Sequence, residues 1–245
     1  MSDLVQLPSG HKVELVLRSQ PASASSQLAI LLHPWSWLGG NMNDPVLHLL
    51  EEHLFERGYH VLRYNSRGVG RSKGWPSLTG SQEVQDLREV VQWALEKVLN
   101  TQHLLLIGYS HGSLITSQHP PLFTSSEIKT SHILLSYPLG PRAWLTLFRS
   151  KSYDEALNTL ARDPKGRILI IYGDRDEFTG VESYREWSDK LEILGKEDLN
   201  VNSNRNASAG RVRVSCIEGG SHFWAQNPNV AEEMLNVVQR WLDGR

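Results

Sequence analysis

The sequence predicts an α/β fold, with a mostly parallel central sheet covered by helices on both faces. Two patterns carry that expectation. Short, nearly continuous apolar runs, of the kind found in strands buried on both faces, recur between Leu28 and Ile217. Amphipathic stretches with helical spacing lie between them. Strands that alternate with helices pair in parallel, and right-handed crossovers then put their C-terminal ends on one edge of the sheet.

Taken in order, Leu4 to Leu7 and Lys12 to Leu17 alternate around P-S-G-H and read as an opening hairpin with Gly10 in its turn. After the polar loop P-A-S-A-S-S-Q, Leu28 to Leu32 is the first buried strand. Asp44 is placed to cap a helix with Pro45 at its first position. Val46, Leu49, Leu50, His53 and Leu54 form its stripe, and Arg57-Gly58 closes it. His60 to Tyr64 is the next strand, followed by the glycine-rich loop N-S-R-G-V-G-R-S-K-G-W-P. A helix from Ser81 carries Val84, Leu87, Val91, Ala94 and Val98 on one face. His103 to Gly108, Ile133 to Ser136, Ile168 to Tyr172 and Val212 to Ile217 complete the strands, with helices at about 181–194 and 229–242. Residues 137–166, which include the helix-like Tyr153 to Leu160, are long enough for a small cap over a site. The Asn/Ser-rich stretch 196–210 reads as a mobile polar loop.

The 245 residues favour a single domain, 1–245. With 25 Lys+Arg against 27 Asp+Glu the formal charge is −2, which argues against a nucleic-acid groove or a polybasic membrane patch. Apolar residues at 40% and charged residues at 21% suit a folded core. Cys216 is the one cysteine, so no intramolecular disulfide or multi-cysteine zinc site is expected, and it reads as a buried, inert thiol within a strand. No apolar run reaches the roughly 20 residues of a transmembrane segment. The start M-S-D-L-V-Q-L lacks the layout of a secretion signal, so a cytoplasmic protein is expected. The eight tryptophans are the unusual count.

The chemistry centres on Gly108-Tyr109-Ser110-His111-Gly112, a G-x-S-x-G between a strand and a helix. Such a turn lifts the Ser110 hydroxyl above the sheet. Side chains at Gly108 or Gly112 would collide with neighbouring elements, and the following helix aims N–H groups at the same spot. The bland reading is a tight strand–helix turn with an incidental serine. A serine nucleophile needs a base. Of ten histidines, His48 and His53 lie on a helix. His60, His103 and His132 sit at strand starts on the wrong edge, His11 lies in the hairpin turn, and His119 precedes two prolines on an expected surface. His111 adjoins the serine but cannot face it. His222 remains, directly after the last strand. The base needs a carboxylate, and Gly173-Asp174-Arg175-Asp176-Glu177 follows a strand on the same edge. A solvated loop or a metal site are the other readings of this acidic cluster, and metal is disfavoured without an accompanying histidine–carboxylate set. For an oxyanion hole, the N–H of His111 and one within His33-Pro34-Trp35-Ser36 are in position. Proline has no N–H, so Trp35 is the expected second donor, although H-P-W-S also suits an ordinary rigid turn.

These motifs, spread from Leu28 to Trp241, resemble a serine hydrolase of the α/β-hydrolase superfamily. Within it the chain is similar to the small, minimally capped, dienelactone-hydrolase-like predicted hydrolases. The resemblance rests on His33-Pro34, Gly39-Gly40-Asn41-Met42-Asn43, Arg63 to Ser72, Gly108 to Gly112, Gly173 to Asp176 and His222-Phe223. It implies a Ser–Asp–His order and an acyl-enzyme, with no cofactor and no metal. Asp174 follows Gly173 at once and suits its own turn, whereas Asp176 has room to reach His222, and the last position of G-x-x-D in the resembling pattern also selects Asp176. Trp35 stands where such proteins often have histidine, and His111 where an apolar residue is common.

The expected activity is cleavage of an ester or thioester of a small-molecule acyl substrate. A short-peptide hydrolase is the enzymatic alternative, and a non-catalytic ligand-binding protein on the same fold is the other. Trp35, Trp37, Trp75, Trp144 and Trp224 fall in segments on the strand-end edge, which suggests an aromatic pocket, while Trp93, Trp187 and Trp241 fall on helices. Arg67 and Arg71 are expected to brace their loop, and Arg142 could reach an anionic group from the cap. Oligomeric state is not legible.

Overall fold

The computed structural model of the protein describes residues 2–21, 25–122, 128–146, 149–197 and 211–244. Its strands are β1 (Asp3–Gln6), β2 (Lys12–Arg18), β3 (Gln27–Leu32), β4 (His60–Tyr64), β5 (His103–Tyr109), β6 (Lys129–Leu135), β7 (Ile168–Gly173) and β8 (Val212–Ile217). They form one sheet in the order β1-β2-β4-β3-β5-β6-β7-β8. The first two pairings are antiparallel and the rest parallel. Gly10 sits at φ +85° in the β1–β2 turn, a left-handed conformation that costs glycine little. The helices are α1 (Pro45–Glu56), α2 (Ser81–Lys97), α3 (His111–Thr116), α4 (Arg142–Leu145), α5 (Ser150–Arg162), α6 (Val181–Glu197) and α7 (Pro228–Leu242). Among the described residues no helix is long and apolar enough to cross a membrane.

The two-residue period of the strands divides the core. Ala29, Leu31, Ile107 and Ile171 face α1 and α7, where Leu50, Leu54, Met234 and Val238 cover them. Leu28, Ile30, Leu104 and Leu106 face Leu87, Val90 and Val91 of α2. Ile168 and Ile170 lie with Leu157 and Leu160 of α5 and Leu191 of α6. Asp44 caps α1 by accepting from the Val46 N–H at 2.8 Å, worth about 1 kcal/mol.

Four expectations are corrected. Residues 137–166 do not form a cap as a whole. The stripe Tyr153, Leu157 and Leu160 is buried, so α5 packs on the sheet face beside α6, and only the stretch around α4 overhangs the strand ends. The loop expected at 196–210 does not hold at its first two residues, which belong to α6, running through Glu197. Residues 198–210 lie outside the described residues. Cys216 is exposed rather than buried, since β8 is the sheet's edge strand. His119 is buried rather than superficial, and its carbonyl accepts from His132.

Candidate active site

Ser110 occupies the turn between β5 and α3 at φ +53°, ψ −118°, a conformation that is rare for a residue with a side chain. The flanking glycines are dictated by space. A Cβ on Gly108 would stand 2.3 Å from the Gly112 carbonyl oxygen, and one on Gly112 would stand 2.5 Å from that of Leu32. The turn can therefore approach both neighbours only without side chains. Ser110 is nearly buried, with its N–H held by the Leu135 carbonyl at 2.8 Å.

The loops after β7 and β8 meet it. His222 Nε2 lies 2.9 Å from Ser110 Oγ, and His222 Nδ1 lies 2.8 Å from Asp176 Oδ2. Asp176 Oδ1 accepts from the N–H groups of Phe178 and Thr179 at 2.9 and 3.0 Å, and Tyr184 donates its hydroxyl to Oδ2 at 3.2 Å. All the carboxylate's partners are donors, which suits its ionised form. With Nδ1 donating to the carboxylate, Nε2 is left as an acceptor facing the serine hydroxyl.

Asp174 does other work. Its Oδ1 accepts from the Gly219 N–H at 2.7 Å, so it ties the β7 loop to the β8 loop rather than bracing only its own turn. Gly173 and Gly220 must be bare where these loops cross, since a Cβ on Gly173 would come 2.0 Å from the Gly220 carbonyl oxygen.

Three positioning residues had no sequence signal that would have found them. Glu177 Oε2 accepts from the His222 N–H at 2.8 Å, and the Tyr109 hydroxyl donates to the His222 carbonyl at 2.7 Å. The backbone of His222 is thus held on both sides. Tyr184, in α6, is the third. The Phe178 ring meets the His222 ring edge-on, with centroids 4.6 Å apart.

His111 is the first residue of α3, where a helix leaves its N–H groups without intrahelical acceptors. Trp35 precedes a short 3-10 turn, Ser36–Leu38, and its carbonyl accepts from the N–H groups of Leu38 and Gly40 at 3.1 Å. His33 fixes this segment. Its Nδ1 donates to the Pro34 carbonyl at 2.6 Å, and its Nε2 accepts from the Ser66 N–H at 3.0 Å. That acceptor role requires a neutral ring, and burial lowers its pKa to about 4. Burial and the nearby His33 also hold His111 down at about 4. The glycine-rich loop after β4 is braced as expected. Arg67 pairs with Asp86 at 2.5 Å and Arg71 with Glu14 at 2.9 Å. Burial alone would raise the Glu14 pKa, but donors from Arg71, Ser2 and Asn65 outweigh it and pull it down to about 2. Arg142 is engaged by Asp154 at 2.5 Å.

Ser110 and His222 open into a pocket of about 270 Å³ lined mostly by apolar side chains, among them Trp35, Leu38, Trp144, Leu145, Phe178 and Phe223. Trp35 meets Trp144 edge-on at 4.8 Å. The other tryptophans expected there are placed differently. Trp37 stacks behind Trp35 at 6.0 Å, outside the lining. Trp75 projects into solvent from the loop after β4. Trp224 is fully buried in the core between the sheet and α7, donating its indole N–H to Ser136 Oγ at 2.9 Å. A 3-10 turn at Trp224–Gln226 swings this indole inward, away from the pocket. Among the described residues no cluster of histidine, cysteine and carboxylate groups could hold a metal ion.

Comparison with known proteins adds a family context. A profile described as X-Pro dipeptidyl-peptidase (S15 family) matches residues 9–120. An uncharacterized protein of Rickettsia prowazekii is 36% identical over 225 residues, covering 91% of this chain and 82% of that protein. Two solved structures are similar in fold. One is a putative α/β hydrolase of unknown function from Agrobacterium tumefaciens, at a TM-score of 0.71 and 22% identity, with 100% of this chain and 98% of that one covered. The other is an α/β serine hydrolase homologue from Coxiella burnetii, at 0.70 and 24%, with 99% and 97% covered.

Proposed function

We propose that this chain, which is related to the Rickettsia prowazekii protein and has the fold of α/β hydrolases, cleaves an acyl bond, an ester or thioester, through a covalent acyl-enzyme. The observation that carries this reading is the continuous hydrogen-bonded path from Asp176 through His222 to Ser110, at 2.8 and 2.9 Å. In the proposed reaction Ser110 Oγ attacks the substrate carbonyl carbon while His222 Nε2 takes its proton. The tetrahedral oxyanion is held by the N–H groups of His111 and Trp35, each such donor being worth about 2.7–4 kcal/mol in known cases. As the C–O or C–S bond breaks, His222 returns the proton to the leaving group. Water, deprotonated by His222, then attacks the acyl-serine and releases the acid. Asp176 keeps the ring in its productive tautomer and stabilises the imidazolium that forms twice per turnover. Trp35 and Trp144 supply an apolar wall for the acyl group, which favours medium-length apolar or aromatic acyl chains over charged ones.

A second reading, hydrolysis of short peptides, is supported by the peptidase-family match over residues 9–120 and by Asp44. Among the described residues its carboxylate is the only one in the pocket lining, and it could receive a peptide's terminal ammonium. Fluorophosphonate labelling followed by a panel of acyl esters, thioesters and dipeptides tests both. Wild-type labelling lost in Ser110→Ala, with turnover of esters or thioesters, is the expected result. Dipeptide turnover alone would select the second reading. Labelling equal in both proteins would move the nucleophile elsewhere, and neither labelling nor turnover would leave a binding protein.

A further inference from the structure

One wall of the pocket belongs to the stretch between β6 and α5, through Pro138, Pro141, Trp144 and Leu145. α4, at its centre, buries none of its own residues, so packing alone holds this wall weakly. Two side chains from elsewhere fasten it. Asp154 of α5 takes the Arg142 guanidinium at 2.5 and 3.0 Å. At the other end the Gly140 N–H donates to Thr179 Oγ1 at 3.2 Å. Gly140 lies outside any helix or strand, so no ladder carbonyl accepts that N–H. The backbones meet there so closely that a Cβ on Gly140 would stand 2.1 Å from the Phe178 carbonyl oxygen.

Thr179 is 3% exposed and serves two partners. Its N–H donates to Asp176 Oδ1 at 3.0 Å, while its hydroxyl oxygen accepts from Gly140. Every residue but proline supplies a backbone N–H, so the Asp176 contact does not call for a threonine. The hydroxyl does separate work. It is outside the pocket lining, yet it sits where the loop that carries the triad acid touches the stretch that carries the wall. A hydroxyl is costly to bury unless it is bonded. Here the bond to Gly140 offsets that cost and fixes where the wall begins.

We infer that the Thr179 hydroxyl determines acyl-chain specificity: by holding Gly140 it sets where Trp144 and Leu145 stand, and so which chains fill the pocket. This rests on the reading of Ser110 as the nucleophile of an acyl hydrolase. Thr179 acts through the wall, as a positioning residue. A hexanoyl chain adds methylenes that an acetyl group lacks, and these depend on the wall. The test therefore measures kcat and KM for water-soluble acetyl and hexanoyl esters of one alcohol, with the full chain and its variants. Dividing the hexanoyl kcat/KM by the acetyl value cancels any loss transmitted through Asp176 or through stability, because both esters share the triad. A merely structural role for Thr179 leaves that ratio where it is.

Thr179→Val keeps the shape and the backbone N–H but removes the acceptor. Its ratio should fall about four- to fifteen-fold, the contact of roughly one or two buried methylenes, carried mainly by a higher KM for the hexanoyl ester. Thr179→Ser keeps the acceptor and should hold the wild-type ratio within about twofold. In a Trp144→Ala background the wall is already gone, so Thr179→Val should lower the ratio no further. If the valine variant melts too low to assay, Thr179→Ala removes the same acceptor without added bulk and is read in the same way. An unchanged ratio on loss of the hydroxyl would overturn the inference and leave the hydrolase reading intact. So would an equal fall in Thr179→Ser, or a full further fall in the Trp144→Ala background. Absence of wild-type turnover on both esters would bring down the hydrolase reading and this inference with it.

Discussion

Replacing Asp176 by asparagine changes one oxygen for an NH₂ group, and the structure dictates which one. Oδ1 accepts from two backbone N–H groups, those of Phe178 and Thr179, which an amide nitrogen cannot do. The asparagine oxygen must therefore take that side and its NH₂ must face His222 Nδ1 and the Tyr184 hydroxyl. An NH₂ donor opposite Nδ1 forces that nitrogen to be the acceptor, so the ring's proton moves to Nε2. His222 then presents a donor to Ser110 and cannot take its proton. In a well-studied serine protease the same tautomer reversal lowers kcat about 10⁴-fold, equivalent to about 5 kcal/mol of transition-state stabilisation. Asp176→Asn is expected to lose kcat on a soluble acyl ester to that extent, with fluorophosphonate labelling slowed in parallel. Its melting temperature should change little, because both backbone N–H groups keep an acceptor. Asp174→Ala should behave in the opposite way. It removes the acceptor for the Gly219 N–H and should cost about 1–3 kcal/mol of stability, with a smaller effect on the chemical step. Retention of a tenth or more of the wild-type kcat by Asp176→Asn would refute the reasoning, as would a loss of activity that merely tracked unfolding.

Gly112→Ala should fail to accumulate as folded protein or melt far below wild type, since its Cβ would stand 2.5 Å from the Leu32 carbonyl oxygen with only backbone to yield; circular dichroism melts decide it. Stability should also fall with acidification. Burial depresses His33 and His119 to about 4 and His132 to about 3, below the ordinary 6.5, so between pH 6.5 and 4 the unfolded chain binds protons that the folded chain does not. Stability is then full above pH 6.5 and drops as pH falls, by about 2 kcal/mol for each of these histidines at pH 5. Urea midpoints between pH 7.5 and 5 measure it, and a flat profile would contradict the burial of these rings in neutral form.

Much of this arrangement was legible in the sequence because strand order fixes where loops go. An apolar run followed by glycine and a polar cluster marks a strand's C-terminal end, and Ser110, the Asp174/Asp176 pair and His222 could be brought to one edge on that basis, whereas the choice of Asp176 over Asp174 also needed loop reach and the family resemblance. What pins them was not legible. Tyr109 points across 113 residues to the His222 carbonyl, and Tyr184 reaches Asp176 from a helix whose stripe reads only as core. Neither residue type nor spacing distinguishes these tyrosines from ordinary packing. The tryptophans show the opposite difficulty. Position after the last strand suggested a pocket role for Trp224, but one short turn decides whether a side chain at such a place faces outward or into the core. Cys216 misled for a related reason, since a strand's own pattern does not reveal that it lies at the edge. β6 begins at Lys129, four residues before its apolar run, because pairing with β5 extends the strand through the consecutive polar residues Lys129 to His132.

The order of the chain and the order of the sheet coincide at one end. Among the described strands β8 is both the last in sequence and the outermost on its side, and the loop leaving it carries His222. A nascent chain could pair its first seven strands and present Ser110 in its strained turn with no partner for the hydroxyl. On the proposed mechanism such a chain is inert. Reactivity toward acyl groups arrives only when the final strand docks against β7 and the Asp174–Gly219 tie closes. On that mechanism the proposed hydrolysis depends on a strand far from the nucleophile in sequence, and a product lacking the segment from β8 onward would carry the serine without its base.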